Sequence, residues 1–170
     1  MDNDNKYLDR QYMAIVQDIL EDSNFDKMGE IVHHGLDRKS HSIRVSYYSY
    51  KITKALHLDY EACARAGLLH DFFFVDNKKS GVITRLETLV NHPKYALENA
   101  SESFLLSEKE KDIIVSHMFP VSIKIPKYAE GWIVDLVDDV VALAEIGYKT
   151  RNRLTYAMNF IFILALTYLR

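Results

Sequence analysis

Residues that bind transition metals recur along this 170-residue chain, each at the end of a predicted helix or on its inner face. They are His41, His70, Asp71, His92, His117 and an aspartate at 138 or 139. Imidazole nitrogens and carboxylate oxygens are common ligands of first-row transition metals. Four imidazoles and two carboxylates would suit two neighbouring ions, each with two histidines and a share of a bridging carboxylate. The alternative is that each histidine is a hydrogen-bonded residue of the core.

His70 and Asp71 are adjacent at the end of a helix-like run that starts near Tyr60. Neighbouring residues on a helix point in different directions, so both can reach a common centre only near a helix end or across two ions. Small residues lie one and two turns back, among them Gly67 and Ala64, and they allow a neighbouring helix to come close. Taken alone, the pair is more simply explained as a helix terminus whose histidine interacts with the helix dipole.

The spacing of apolar residues predicts an all-α fold of about six to eight helices without strands. Helix start signals are Ser40, Asp59, Pro93 and a capping box formed by Ser107 and Glu110. A long loop over residues 72–91 is expected to contain one short helix. The predicted helices cover residues 7–21, 40–56, 59–71, 84–90, 93–104, 107–117, 128–146 and 151–170.

Two of these helices present faces that bear on the candidate ligands. The helix that follows Ser40 has a predicted buried stripe of His41, Val45, Tyr48, Ile52 and Leu56. His41 therefore heads the inward face. In the helix over 128–146, the predicted apolar arc holds Ile133, Val134, Leu136, Val137, Val140, Val141, Leu143 and Ala144. Asp135 falls opposite this arc and should be solvated, whereas Asp138 and Asp139 lie at its two edges, so helical periodicity does not choose between them.

The composition predicts one globular domain over residues 1–170, because 48% of the residues are hydrophobic. A net charge of −3, with acids and bases interspersed, argues against a nucleic acid or an anionic membrane as partner. One cysteine excludes an internal disulfide, and the polar N-terminus is unlike a signal peptide, so we expect a cytoplasmic protein. The apolar stretch from Leu154 to Leu169 is too short for a span of about 20 residues and is expected to form a buried terminal helix.

Several segments together resemble the HD-domain superfamily of metal-dependent phosphohydrolases. They are Ser40–Val45, Ala66–Asp71, His92–Ala100, Ile113–His117 and Val134–Val140. The order of ligand residues is His…His-Asp…His…His…Asp, and the similarity covers residues 34–146. The superfamily pattern places an apolar residue before the last ligand, as Val137 precedes Asp138, so the resemblance selects Asp138 over Asp139.

The resemblance implies that one divalent metal ion (Fe, Mn, Co, Ni or Zn) is held by His41, His70, Asp71 and Asp138. A second ion would be held by His92 and His117, with Asp71 as the bridge. The two additional histidines are typical of the six-ligand, binuclear branch, which includes symmetrical diadenosine-tetraphosphate hydrolases and cyclic-dinucleotide phosphodiesterases. This chain departs from many relatives after the His-Asp pair: they have a small residue, a glycine and a lysine, and it has three phenylalanines at 72–74.

The function implied by the resemblance is hydrolysis of a phosphoester or phosphoanhydride of a small metabolite, in particular a nucleotide, by a metal-activated hydroxide. Asp71 and Arg38 would be the catalytic residues. Substrate contacts could come from His34, Arg38, Lys78 and Lys79. The alternative for Arg38 and the two lysines is a solvated surface charge, and the alternative for His34 is a contact with a metal ligand. A homodimer is compatible with these expectations. Two other functions fit the same residues, namely a di-iron oxygenase on the same fold and a catalytically silent nucleotide-binding module that the metal staples together.

Overall fold

The computed structural model describes the backbone of residues 9–30, 32–33, 36–74 and 82–168, and the side chains of residues 9–29, 37–74 and 87–152. This part of the chain is all-α, as predicted. Its helices are α1 (Arg10–Leu20), α2 (Ser23–Lys27), α3 (Arg38–Ala55), α4 (Tyr60–Leu69), α5 (Val82–Ser103), α6 (Glu108–Ser116) and α7 (Ala129–Tyr168). A 3₁₀ turn, Met28–Glu30, follows α2. Two antiparallel strands of two residues each, β1 (Val32–His33) and β2 (Leu36–Asp37), then lead into α3.

The start of α3 differs from the sequence prediction. Asp37, and not Ser40, is the N-cap residue, because the Asp37 carboxylate accepts a hydrogen bond from the Ser40 backbone N–H at 2.7 Å. The Ser40 hydroxyl donates to the same carboxylate. Both side chains can cap a helix, and the earlier one does so here. Arg38 consequently lies inside the helix, one turn before His41. The predicted caps at Asp59 and Ser107 are confirmed, the second as a complete capping box with Glu110.

Helix α4 lies at the centre, with α1, α3, α6 and α7 packed around it. Its small residues allow α3 to come close, as predicted. Ser46 of α3 donates from its hydroxyl to the Ala64 carbonyl at 2.6 Å, and it shares a hydrogen bond with the Tyr12 hydroxyl of α1 at 2.8 Å. The predicted stripe on α3 is right for His41 and Val45, which are buried, and wrong further along. Its later members, Ile52 and Leu56, are 42% and 58% exposed.

The error on α3 arises from the residues that its buried face uses. That face carries serine and threonine side chains, Ser42, Ser46, Ser49 and Thr53, which an apolar pattern does not count. Small hydroxyl side chains suit a close helix contact, and they can donate to carbonyls of their own or the facing helix. Helix α3 is therefore turned so that its serine face, and not its isoleucine and leucine, meets α4.

The contact between α3 and α4 leads to a prediction on stability. A Cβ atom added to Gly67 would lie 2.8 Å from the Ser46 Cα atom, so Gly67→Ala must push two backbones apart. We expect a loss of about 1–3 kcal/mol in the free energy of unfolding, measured by urea denaturation. Gly147→Ala on α7 is the matched control, because no atom lies within 4 Å of its added Cβ. That variant should gain about 0.5–1 kcal/mol, and equal effects of the two substitutions would contradict the described packing.

Two predicted helix boundaries are absent from the structure. Pro93 does not begin a helix but lies inside α5, which joins the predicted segments 84–90 and 93–104. Likewise, α7 is one helix of 40 residues where two were predicted, because Gly147 does not interrupt it. The face of α7 is also rotated from the predicted arc. Val134, Val137 and Val141 are buried, whereas Leu136, Val140 and Leu143 are more than half exposed.

Asp135 was predicted to be solvated, and the structure contradicts this. Its carboxylate is partly buried and accepts a hydrogen bond from the backbone N–H of Phe119, in the loop before α7, at 3.1 Å. The side chains of 154–169, predicted to form a buried terminal helix, lie outside those that the structure describes. Within the described residues, no helix combines the length and apolar character that crossing a membrane requires.

Candidate metal centre

All six predicted ligands converge on one buried region between α3, α4, α5, α6 and α7. They are His41 from α3, His70 and Asp71 from the end of α4, His92 from α5, His117 from the end of α6, and Asp138 from α7. Asp138 is partly buried, and the other five are at most 6% exposed. Their ligand atoms form three overlapping groups: His41 with His70 and Asp71, His70 with His117 and Asp138, and Asp71 with His92 and His117. Within each group, the ligand atoms lie within 4.8 Å of one another.

Three of the histidines are oriented by a carbonyl of their own helix. His70 and His117 are the C-cap residues of α4 and α6, where the last carbonyl groups have no partner within the helix. The His70 Nδ1 atom lies 2.8 Å from the Gly67 carbonyl oxygen, and the His117 Nδ1 atom lies 2.7 Å from that of Ile114. Each Nδ1 donates its proton to the carbonyl three residues earlier. In the neutral form of each ring, the Nε2 atom then carries the lone pair, and this is the form that binds a metal.

His92 uses the same arrangement in the middle of a helix, and Pro93 makes this possible. The proline nitrogen carries no hydrogen, so the Leu89 carbonyl, four residues before Pro93, loses its normal helical partner. The His92 Nδ1 atom lies 2.9 Å from that carbonyl oxygen and donates to it. The His-Pro pair was interpreted from the sequence as a helix start. Its structural effect is instead to orient the His92 ring.

The Nε2 atoms of His92 and His117 face each other at 3.1 Å. Because both Nδ1 atoms donate to carbonyls, both Nε2 atoms of the neutral rings carry lone pairs that point at each other. A shared proton or a cation between the two atoms relieves this repulsion. The Nε2 atom of His70 is buried without a hydrogen-bond partner among the described residues. A buried polar atom left unsatisfied is costly, so each of these three nitrogens fits a site built for a cation.

Asp71 presents its two oxygens to different histidines. Its Oδ2 atom lies 3.8 Å from the His70 Nε2 atom, whereas its Oδ1 atom lies 3.3 Å from that of His92 and 3.9 Å from that of His117. Asp138 approaches from the other side, with Oδ1 at 2.8 Å from His41 Nε2 and 3.6 Å from His70 Nε2. Asp139, the alternative that periodicity left open, is exposed. Asp71 thus lies between His70 on one side and His92 and His117 on the other, and Asp138 lies between His41 and His70.

Without a metal, the charges of the cluster fall on its own residues. Burial opposes protonation of His41, but hydrogen bonds to Asp138 and Glu145 outweigh it and raise the pKa of His41 to about 10. Burial and the charges on His70 and His92 lower the pKa of His117 to about 3. Burial also works against ionisation of Asp138, yet the charge on His70 and the hydrogen bond from His41 hold its pKa well below its usual range. These shifts favour ionised carboxylates beside a protonated His41 and a neutral His117.

Glu145 and Asp135 are the residues near this cluster that sequence reasoning missed. Glu145 is buried and joins His41 to Arg44, with distances of 3.1 Å from its Oε2 atom to His41 Nδ1 and 2.7 Å from its Oε1 atom to an Arg44 nitrogen. The available signal was its spacing, because it follows Asp138 by two helical turns and therefore shares its face. Asp135 was predicted to lie opposite the apolar face of α7. No sequence pattern revealed the hydrogen bond that it accepts from the Phe119 N–H of the preceding loop.

Asp135 gives a prediction on pH. Burial and the charge of Asp139 raise the pKa of Asp135 from 3.8 to about 7. Below pH 3.8 the carboxyl is protonated in both the folded and the unfolded protein, so the raised pKa does not change the free energy of unfolding. As the pH rises from 3.8 toward 7, the raised pKa lowers the free energy of unfolding progressively, and above pH 7 the loss is complete. Asp135→Asn keeps the acceptor for the Phe119 N–H and removes this cost. In urea denaturation, the free energy of unfolding of the variant should exceed that of the parent at pH 8 and equal it near pH 4. A difference that does not change with pH would contradict the raised pKa of Asp135.

The predicted substrate residues fall into two groups. Arg38 is 1% exposed, and its guanidinium lies 3.8 Å from the centroid of the Phe73 ring. It also donates a hydrogen bond to the Phe73 carbonyl. The Phe73 ring in turn lies 5.1 Å from the His92 ring, between centroids. His34, Lys78 and Lys79 lie outside the described residues.

Phe72 and Phe73, which replace the small residue and glycine expected after the His-Asp pair, are both buried, and the ring of Phe73 lies against that of His92. Phe74, in the position of the lysine, is 42% exposed. The ring of Phe72 packs against those of Phe74 and Phe104. The ring of Phe73 lies between the Arg38 guanidinium and the ring of His92.

Comparison with known protein families agrees with this geometry. A sequence model of the HD domain matches residues 38–143, which is more than half of the chain and includes all six candidate ligands. No curated protein and no solved structure gives a match. HD domains bind divalent metals, and the histidine and aspartate groups found here could hold one. An all-α fold, convergent histidines and a family match across the region that contains them establish that this chain belongs to the HD domain family.

Proposed function

We propose that this HD domain is a metal-dependent phosphohydrolase of the six-ligand, binuclear type, which cleaves a phosphoester or phosphoanhydride bond of a small metabolite such as a nucleotide. The observation that carries the proposal is the pair of facing Nε2 atoms of His92 and His117, 3.1 Å apart. Beside them, the Nε2 of His70 has no hydrogen-bond partner among the described residues. Simple packing of histidines in a core would not set two Nε2 atoms directly against each other when both Nδ1 atoms already donate to carbonyls. A cationic occupant removes the repulsion.

The donor set suits two ions better than one. His41, His70 and Asp138 would hold one ion, and His92 and His117 would hold the other. Asp71 would belong to both, since its two oxygens face different histidines. Imidazoles with carboxylates favour Fe, Mn, Co, Ni or Zn over Mg or Ca, which prefer oxygen ligands alone. This division is a proposal, because His70 and His117 also share a group with Asp138.

Divalent ions in this position would lower the pKa of a coordinated water and neutralise charge on a phosphate. The surrounding residues complete what hydrolysis needs. The carboxylates of Asp71 and Asp138 can fix the positions of the ions. Because the imidazole ligands are neutral, the centre would keep a net positive charge that attracts a phosphate. The apolar ring of Phe73 covers the ring of His92. Arg38, fixed over Phe73, places a permanent cation near His92, where it can steer an anionic substrate.

The test combines metal content with turnover. The purified protein is assayed for bound metals, depleted with a chelator, reloaded with Mn²⁺, Fe²⁺ or Co²⁺, and incubated with a panel of nucleotides, dinucleoside polyphosphates and cyclic dinucleotides. The proposal predicts release of phosphate or of a nucleoside phosphate only from the reloaded protein. A protein that binds metal but turns over none of the panel contradicts hydrolysis. Oxygen consumption by the iron-loaded protein would instead identify an oxygenase, and tight nucleotide binding without turnover would identify a binding module.

A further inference from the structure

His41 differs from the other three candidate ligand histidines in the group that orients its ring. The rings of His70, His92 and His117 donate from Nδ1 to a carbonyl three residues earlier on their own helices. His41 lies in the first turn of α3, where the unsatisfied backbone groups are N–H donors and not carbonyls. No carbonyl of its own helix is left to accept a proton from its Nδ1 atom.

Glu145 supplies the acceptor that α3 lacks. Its Oε2 atom lies 3.1 Å from His41 Nδ1, across the boundary between α7 and α3. Its other oxygen accepts from Arg44 at 2.7 Å, so the carboxylate is held at both ends. Its side chain is only 6% exposed, whereas that of Arg44 is 31% exposed. A buried carboxylate fixed in this way orients the imidazole and makes its Nε2 a stronger ligand.

The position of Glu145 on α7 reinforces this reading. Glu145 follows Asp138 by seven residues, or about two helical turns, so both carboxylates project from one face of the helix. Asp138 meets the Nε2 edge of the His41 ring at 2.8 Å, and Glu145 meets its Nδ1 edge. One helix therefore contacts the same imidazole on both of its nitrogens. The ring has one orientation in which both contacts can exist.

We propose that Glu145 is a positioning residue of the metal centre, which holds His41 in the tautomer with hydrogen on Nδ1 and the Nε2 lone pair directed at the ion, and that Arg44 holds Glu145 in place. This inference rests on the proposed metal-dependent function and adds a residue outside the six-ligand set. Glu145 does not touch the metal or the substrate. Its effect is transmitted through His41.

Zn²⁺ affinity, measured by competition with a chromophoric chelator, tests the inference on the full chain. Glu145→Ala should weaken Zn²⁺ binding by about 10–100-fold, the usual effect of removing a partner of a ligating histidine. Glu145→Gln keeps one acceptor oxygen without the charge, and its Zn²⁺ affinity should lie between those of Glu145→Ala and the parent. Glu98→Gln, at an exposed position on α5, is the matched control and should bind as the parent does. Circular dichroism verifies that each variant is folded.

Nitrogen NMR of histidine-labelled, Zn²⁺-loaded protein provides a readout that a purely structural role would not move. In the parent, all four rings should carry hydrogen on Nδ1. In the Glu145 variants, only the His41 signals should change, toward a mixture of tautomers. Zn²⁺ affinity within about twofold of the parent together with an unchanged His41 tautomer would overturn the role of Glu145 while leaving the metal centre intact. A parent protein that binds no Zn²⁺ or other divalent ion would overturn the metal centre itself, and the role of Glu145 with it.

Discussion

Asp71→Asn is expected to abolish hydrolysis and to release most of the bound metal. Asp71 directs one oxygen at His70 and the other at His92 and His117, and asparagine can offer only one oxygen and no negative charge. Loss of a mere partner of a ligand costs about 10–100-fold in affinity or activity, and loss of a shared ligand should cost more. We expect turnover to fall by more than about 100-fold at saturating metal. Phosphate release and metal content, measured on the same sample, record both effects.

Asp139→Asn is the control for this prediction. It makes the same chemical change at an exposed carboxylate on α7, one residue from Asp138. Metal content and turnover should both match the parent. If Asp71→Asn retained turnover within about tenfold of the parent, Asp71 could not be a shared ligand, and the proposed division of the site would fail.

His92→Gln is expected to remove one of two ions and leave the other. Among the three groups of possible ligands, His92 belongs only to the one with Asp71 and His117. The group of His41, His70 and Asp71 does not depend on it. Plasma-emission analysis should therefore show a fall from two ions per chain to one, and turnover should fall because a two-ion site clamps both the attacking and the leaving oxygen.

His57→Asn is the control for His92→Gln. His57 is an exposed histidine after α3, and its backbone has a φ of 56°, which asparagine tolerates. Removal of this imidazole should change neither the metal content nor the rate. A parent protein with one ion per chain, unchanged in His92→Gln, would contradict the binuclear assignment and leave a mononuclear centre.

The residues that the sequence singled out as ligands lie together in the structure, whereas several predictions for the helices around them are wrong. Chemistry restricts which side chains bind metals, so His41, His70, Asp71, His92 and His117 stood out by type. Apolar periodicity did not choose between Asp138 and Asp139, and the resemblance to HD proteins did. The structure brings Asp138 to His41 and leaves Asp139 exposed. Their binding of metal stays a prediction.

Three errors in the fold share one physical cause, which is that each depends on a polar contact that apolar periodicity does not count. Ser40 is a good cap, but Asp37 is an equally good one three residues earlier. Pro93 suits a helix start, yet α5 continues through it because the freed Leu89 carbonyl finds a partner in the His92 ring. The buried face of α3 uses serines, which apolar patterns ignore. Each outcome depends on a contact between residues that one-dimensional patterns do not pair.

Glu145 illustrates the same limit at the site. Its spacing from Asp138 places it on the same face of α7, but the sequence does not say which residue that face meets. Its importance follows from the position of His41 in the first turn of α3, where a carbonyl acceptor is missing. Only the packing of α7 against α3 shows that one residue supplies what the other lacks.

Anomalous X-ray diffraction from crystals of the protein as purified, with data on both sides of the Mn, Fe, Co, Ni and Zn absorption edges, tests the central claim most directly. The account predicts two peaks, one among His41, His70 and Asp138 and one between His92 and His117, with Asp71 in contact with both. Electron density that shows the four imidazoles turned away from one another, with no anomalous peak between them at any edge even after metal is added, would contradict it.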